Sequence, residues 1–478
     1  MIRRPTSLRK TRFFAQLLLL WALGAWVIWA DPFGLSSAGE RALAEDVSRS
    51  RAYFQPVAPA PITVVNIDYE SIRALHEAHR LDANDWPLTY DDHARILSRL
   101  VSRPGADRRQ GREDVPAAVF YDVFFERPRT ASGDMRRLAR ALGRIEQGRG
   151  GQSYPSVYLA GGGGRVPMSD ESYALLNRPR LAVSAWDGLG DDYPLSHDLH
   201  GADLETAVPS SAPSAAWALY QALCRARQED CSGIQAHDVL SPQWVLRGDK
   251  ASCGDWAARV PGYVLRTIFR YLGFGGAPVM ASADCLPVHQ VNLSELFLPD
   301  GGRLRPPYLD PGKPFVVLVG VVMPSLNDYH ATPLYERLAG VYLHALALEN
   351  LDRLGSDYLR VREIRHVSLL VWLALTALVC CWRECVQEKT TRWRRSSILS
   401  ERVLRFLAVP VSMRPGIRRG TVRIVRRAVW LLIWTLMVLL IYALCYSVLD
   451  IALQGWLFMI GLVSLLLFWD GAPPGRRS

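Results

Sequence analysis

The sequence predicts an α/β domain with a mostly parallel central sheet and flanking helices, carried by four transmembrane helices. Three observations predict it. Residues 62–67, 117–125 and 315–322 are nearly continuous β-branched or aromatic runs, the pattern of strands buried on both faces. The first two are each followed by a helical pattern, and strand–helix–strand order argues parallel pairing with right-handed crossovers. Long apolar runs stand apart from this region at 13–30, 366–382, 428–449 and 451–469, each approaching the ~20 residues that cross a bilayer core. The hydrophobic fraction of 49% is ordinary, so the membrane signal lies in this clustering.

Residues 31–61 form a linker in which Ser36 or Ser37 can cap a short helix and Pro56, Pro59 and Pro61 stiffen the approach. The strand at 62–67 ends at Asp68, and a short helix follows to about Ala78. Thr89 or Asp91 can cap the next helix, which runs to about Val101 with Ile96, Leu97 and Leu100 on its apolar face. The charged stretch 103–115 reads as a surface insertion. After the second strand come a helix at 133–145 and short strands at 156–160 and 181–184. Gly161 to Gly164 lack the G-x-x-x-x-G-K-[ST] or G-x-G-x-x-G pattern of a phosphate loop, so no nucleotide cofactor is expected. Further on, 213–225 reads as a helix, 243–247 as an edge strand, 315–322 as a buried strand and 334–354 as a helix packed on the sheet.

Charge orients the apolar runs. Residues 383–427 carry thirteen Lys or Arg against three Glu, and residues 1–12 carry five basic residues and no acid. The positive-inside rule puts these segments and the tail 470–478 in the cytoplasm, and residues 31–365 outside. The net charge of +10 therefore reflects membrane orientation and gives no argument for nucleic acid; the basic loop can touch anionic lipid headgroups. The first run, with its basic flank, suits a retained anchor; the same features suit a cleaved signal peptide. The run at 366–382 is the shortest, and a buried soluble helix is its alternative.

Four cysteines, Cys224, Cys231, Cys253 and Cys285, fall in the external region. An even number there points to disulfides. The short loop favours Cys224 with Cys231, leaving Cys253 with Cys285. No C-x-x-C spacing points to a metal. Nor is there a G-x-S-x-G, H-E-x-x-H or kinase signature, so no enzyme is expected. Asp68, Asp122 and Asp328 each sit at or just after a predicted strand end. Three acids at one sheet edge can bind a cation or polar ligand; equally, they can cap helices and order turns.

The strings IDYESI at 67–72, WP at 86–87, YDVFFE at 121–126, VVLVG at 316–320, Asp328 with TPL at 332–334, and GVYLHA at 340–345 together resemble the CHASE2 extracellular sensory domain. The layout of an anchor, a sensor and three membrane helices is similar too. The resemblance implies a signal-input module in a multi-pass bacterial inner membrane, with its large domain periplasmic or extracellular. It adds Trp86 and Thr332 to the three acids as ligand-binding candidates. It also implies an unidentified extracytoplasmic ligand. Family members usually precede cytoplasmic kinases or cyclases; here nine residues follow Trp469, so the expected output is a separate cytoplasmic effector acting in trans. A second reading is a membrane scaffold or transport-complex component whose helices form a homo-oligomer. Topology is the first thing to test: a reporter fused after Ser478 is expected in the cytoplasm and one inserted near Arg108 outside. An external C-terminus would refute the four-helix arrangement.

Overall fold

A computed structural model of the chain describes residues 6–30, 48–101, 115–147, 155–163, 166–184, 192–199, 207–248, 280–297, 303–326 and 328–358, with short pieces at 45, 262, 265–266 and between 366 and 381. The chain divides into two units, 1–47 with 362–478, and 48–361. The insertion at 103–114, the basic loop 383–427 and the runs 428–449 and 451–469 lie outside the described residues.

In the first unit, α1 spans Thr6–Ala30. Trp372 is fully buried against it, and its indole N–H donates to the Leu20 carbonyl at 3.1 Å. A β-carbon on Gly24 would overlap the Trp372 ring, so glycine is what lets the ring approach. Trp21 donates to the Thr376 hydroxyl at 2.8 Å. Among the described residues no helix is long and apolar enough to cross a membrane.

The second unit is built on a six-stranded parallel sheet. Its strands are β1 (Ile62–Ile67), β2 (Ala118–Phe124), β3 (Ser156–Ala160), β4 (Arg180–Ala182), β5 (His289–Asn292) and β6 (Val316–Val321). Their spatial order is β5-β1-β6-β2-β3-β4. Every residue of β1 is buried, as its unbroken apolar run requires. Among the described residues five helices lie on one face: α2 (Tyr69–Glu77), α3 (Tyr90–Val101), α4 (Met135–Gln147), α5 (Asp170–Leu175) and, after β5, α7 (Leu293–Phe297). They share a core with Val65, Val119, Tyr121, Leu159 and Val317. The opposite face carries α6 (Ala215–Arg227) and α8 (Gly340–Leu354), packed with Val64, Phe120, Tyr158 and Leu318. The alternation of strand side chains between these two cores is the period of two expected of β structure.

Local signals set the helix starts. Asp68 accepts the Ser71 N–H at 2.6 Å, Ser169 that of Ser172 and Ser214 that of Trp217. Of the two residues proposed to cap α3, Thr89 does so, accepting the Asp92 N–H at 3.1 Å. Asp92, fully buried, accepts from the backbone N–H groups of Asp82 and Ala83 and from the Thr89 hydroxyl, which fixes the loop before α3.

Several expectations need correction. The helix expected over 334–354 begins at Gly340. Thr332 staples a turn to Tyr335, and Leu338–Ala339 pairs with Tyr329–His330 in a small antiparallel ribbon, so the chain is not free to coil before 340. The edge strand at 243–247 does not form; Arg247 makes one isolated bridge to Val57. The edge strand on that side of the sheet is β5, which carries no apolar run. The expected Cys224–Cys231 disulfide, by contrast, does form, with Cα atoms 6.3 Å apart. Cys285 is disulfide-bonded too; Cys253 lies outside the described residues.

The contact that seats α8 is the approach of Val341 to Gly320 on β6, where a β-carbon would overlap the valine side chain. Gly320→Ala is expected to destabilise the domain by about 1–3 kcal/mol, the usual cost of overpacking. Thermal unfolding of the full chain in detergent checks it; an unchanged midpoint would show that α8 lifts without cost.

Candidate functional site

The connections after β1 and β2 leave on the α2–α5 face, whereas β6, which lies between them, sends its chain to α8 on the other face. This is a topological switch point, where open parallel sheets hold ligands outside their carboxyl ends. The last row shared by β5, β1, β6 and β2 is Asn292, Asn66, Gly320 and Asp122, in register. Three of these four residues are polar, so polar groups gather at the switch.

Asp122 lies two residues before the end of β2, mostly buried. The pairing of β2 with β3 shifts register between Tyr121 and Phe124, which leaves Asp122 unpaired on that side. Burial pushes its carboxyl well above the ordinary aspartate range, and the nearby charge of Asp328 pushes it further. Asp328 is half-exposed, with its carboxylate against Gly340, the first residue of α8. Its carbonyl accepts the Gly340 N–H at 2.9 Å. No side chain caps α8 at Ala339, so the Asp328 carboxylate supplies the negative charge favoured at that helix terminus. His330 lies 3.7 Å from it.

Beneath the acids lie buried neutral groups. The Tyr193 hydroxyl accepts the Ala216 N–H at 3.0 Å and is hydrogen-bonded to His344 Nδ1 at 2.8 Å. Burial pushes His344 down to about 4, against the opposing pull of Asp328. Its ring meets Phe120 edge-on at 5.4 Å. The Tyr342 hydroxyl reaches Asn66 Oδ1 at 2.8 Å and Gln290 Oε1 at 2.9 Å. The arrangement sets two carboxyl groups near a buried imidazole and buried amide groups. Such a set recognises a polar or cationic ligand through hydrogen bonds and charge.

The five candidate residues separate. Asp122 and Asp328 meet at the crevice. Asp68 stands at the end of neighbouring β1, but its carboxylate caps α2. Trp86 packs edge-on against His93 at 6.1 Å, in an aromatic cluster with Tyr121 and Phe125 on the opposite sheet face. Thr332 is buried, its hydroxyl donating to the Tyr335 carbonyl at 2.5 Å. Sequence reasoning missed Asn66, Tyr193 and Tyr342, and left His344 among scattered histidines. The readable signals were the lone asparagine inside an apolar strand and the glycine ending another. Among the described residues no group of acids, histidines and cysteines could hold a metal ion.

The titrations have opposite signs. His93, whose Nδ1 lies 2.7 Å from the Tyr121 hydroxyl, is pushed down by burial to about 3. Depressed histidines lend stability above their ordinary pKa that is lost as pH falls through 6.5 toward the depressed values. The raised Asp122 lends stability at low pH that is lost as pH rises through its elevated pKa. Asp122→Asn is therefore expected to unfold at a higher temperature than the parent at about pH 8, the gap closing toward about pH 4. Melting curves across that range check the sign; a gap that widens on acidification would refute it.

No curated protein and no solved structure matches this sequence. The model of the CHASE2 domain, a sensory module, matches residues 17–382, and the chain belongs to the CHASE2 family.

Proposed function

We propose that this CHASE2 protein is a membrane-anchored sensor that binds a polar extracytoplasmic ligand at the carboxyl end of β6 and relays binding to a separate cytoplasmic effector. The observation that carries the reading is the convergence of Asp122 and Asp328 at the start of α8. A ligand that engages both carboxyls acts on the helix whose chain continues into 366–382. The apolar runs, with basic residues at 1–12 and 383–427, support an anchored domain facing outward and a cytoplasmic docking loop. Switching requires a ligand that favours one placement of α8 by a few kcal/mol.

The test uses the full chain in lipid nanodiscs, screened with polyamines and basic or neutral amino acids by thermal shift. A ligand that binds only the folded domain raises its midpoint. That shift is expected to fall by about tenfold in apparent affinity, ~1.4 kcal/mol, in Asp122→Asn and Asp328→Asn. In Trp86→Phe it is expected to persist, because Trp86 belongs to the other face. A ligand whose shift survives both acid substitutions, or is lost only in Trp86→Phe, places the sensing site elsewhere.

A further inference from the structure

On the face away from the crevice, a depression of about 1690 Å³ lies over α3 and α4, bordered by Asn177 after α5 and Phe297 of α7. Seven arginines line it against three aspartates. Two of the arginines are committed: Arg95 pairs with both oxygens of Asp82 at 2.9 Å, and Arg137 with Asp91. The third acid, Asp134, accepts the Arg136 backbone N–H at 3.0 Å. Arg80, Arg99, Arg136, Arg140 and Arg144 have no carboxylate partner among the described residues.

Three of these form a row. Arg136, Arg140 and Arg144 stand on successive turns of the exposed side of α4, about 6 Å apart along the axis. The Nε–H of Arg140 donates to the Arg136 carbonyl at 3.4 Å and that of Arg144 to the Arg140 carbonyl at 3.3 Å. Like charges at this spacing weaken a helix, so the row does not serve the stability of α4. Arg99 lies over the Phe297 ring, and burial together with the charge of Arg80 lowers its pKa. Positive charge is crowded here without internal compensation.

A solvated charged face is the plain alternative, but these cations line a concavity. Its volume exceeds the roughly 300–1,000 Å³ of small-molecule sites, which suits a segment of a chain molecule. Ser98, Gln147 and Asn177 interleave neutral hydrogen-bonding groups with the arginines. A polyphosphate, which has acceptors but no donors, would leave the side-chain carbonyls of Gln147 and Asn177 without a partner, whereas sugar hydroxyls both donate and accept. Single-stranded nucleic acid would need open aromatic platforms, and Phe297 is already covered by Arg99. We propose that the depression binds an acidic polysaccharide, with sugar carboxylates along Arg136, Arg140 and Arg144 and hydroxyls on Ser98, Gln147 and Asn177.

The test is binding of polygalacturonate to the full chain in nanodiscs of zwitterionic lipid, followed by calorimetry. Saturable binding is expected that weakens with added salt and falls by about tenfold or more in R136Q/R140Q/R144Q, since charged contacts to a polyanion carry its affinity. Arg73→Gln, on exposed α2 outside the depression, is expected to leave it unchanged, and neutral dextran is expected not to bind. Melting curves confirm that each variant is folded; Arg140→Lys, which keeps the charge, is expected to retain most of the affinity. The proposal is overturned if polygalacturonate does not bind the parent, or if its binding survives the triple substitution. It is overturned equally if polyphosphate or phosphatidylglycerol vesicles use these arginines and polygalacturonate does not.

Discussion

The seating of α8 on β6 rests on one steric fact: Gly320 has no side chain. Val341 occupies the space that a β-carbon would take, and protein interiors do not yield such volume cheaply. With the helix pressed there, Gly340 comes to lie against the Asp328 carboxylate, and His344 comes to lie edge-on to Phe120. Tyr342 then reaches Asn66 on β1. A helix displaced outward would open each of these contacts together. The crevice is therefore a property of the β6–α8 junction more than of any one acidic residue.

The far end of α8 is held by a different device. Asn350, fully buried, exchanges hydrogen bonds with the Gln243 backbone, receiving its N–H at 2.6 Å and donating to its carbonyl at 3.1 Å. Glu349, whose carboxyl is pushed up by burial, pairs with Arg353 at 2.7 Å and also accepts from Asn350. Asp352 pairs with Arg227 on α6 at 2.6 Å. Buried polar networks of this kind fix geometry because leaving any member unpaired is costly. The helix is thus pinned along its length to the sheet and to α6. A ligand at its first turn acts on a stiff element, the kind that carries a displacement from one end to the other.

The central sheet was legible because strands covered on both faces must be apolar throughout, and 62–67, 117–125 and 315–322 are. Thr89, one of two capping candidates, marked the start of α3. The edge strand β5 was not legible: His289 and Gln290 are only half-buried, so selection for an apolar run is absent there. The start of α8 was misread because Leu334, Tyr335 and Leu338 continue an apolar pattern. What breaks the helix is a hydroxyl staple at Thr332 and a backbone ribbon, neither of which has a periodic signature. The strand-end rule singled out Asp122 and Asp328, which the fold brings near each other. It could not tell them from Asp68, whose carboxylate serves as a cap, because capping and binding use the same residue at the same place. His344 was invisible as a site residue, since one histidine on an apolar helix face reads as core.

Strand β2 joins the two faces of the domain. Tyr121 points into the α2–α5 core and meets His93 of α3, while Asp122, the next residue, opens on the crevice beside α8. The arginine-lined depression lies on the outer side of that same α3, packed against α4. A shift of α3 that alters the His93–Tyr121 contact therefore acts on the strand whose register already slips at Tyr121 and which carries Asp122. If both sites are occupied as proposed, coupling between them is reciprocal: whatever free energy a polyanion on α3 and α4 adds to ligand binding at the crevice, the crevice ligand returns to the polyanion. Its size is bounded by how differently each ligand binds the two placements of β2 and α8, and tight binding without that difference transmits nothing.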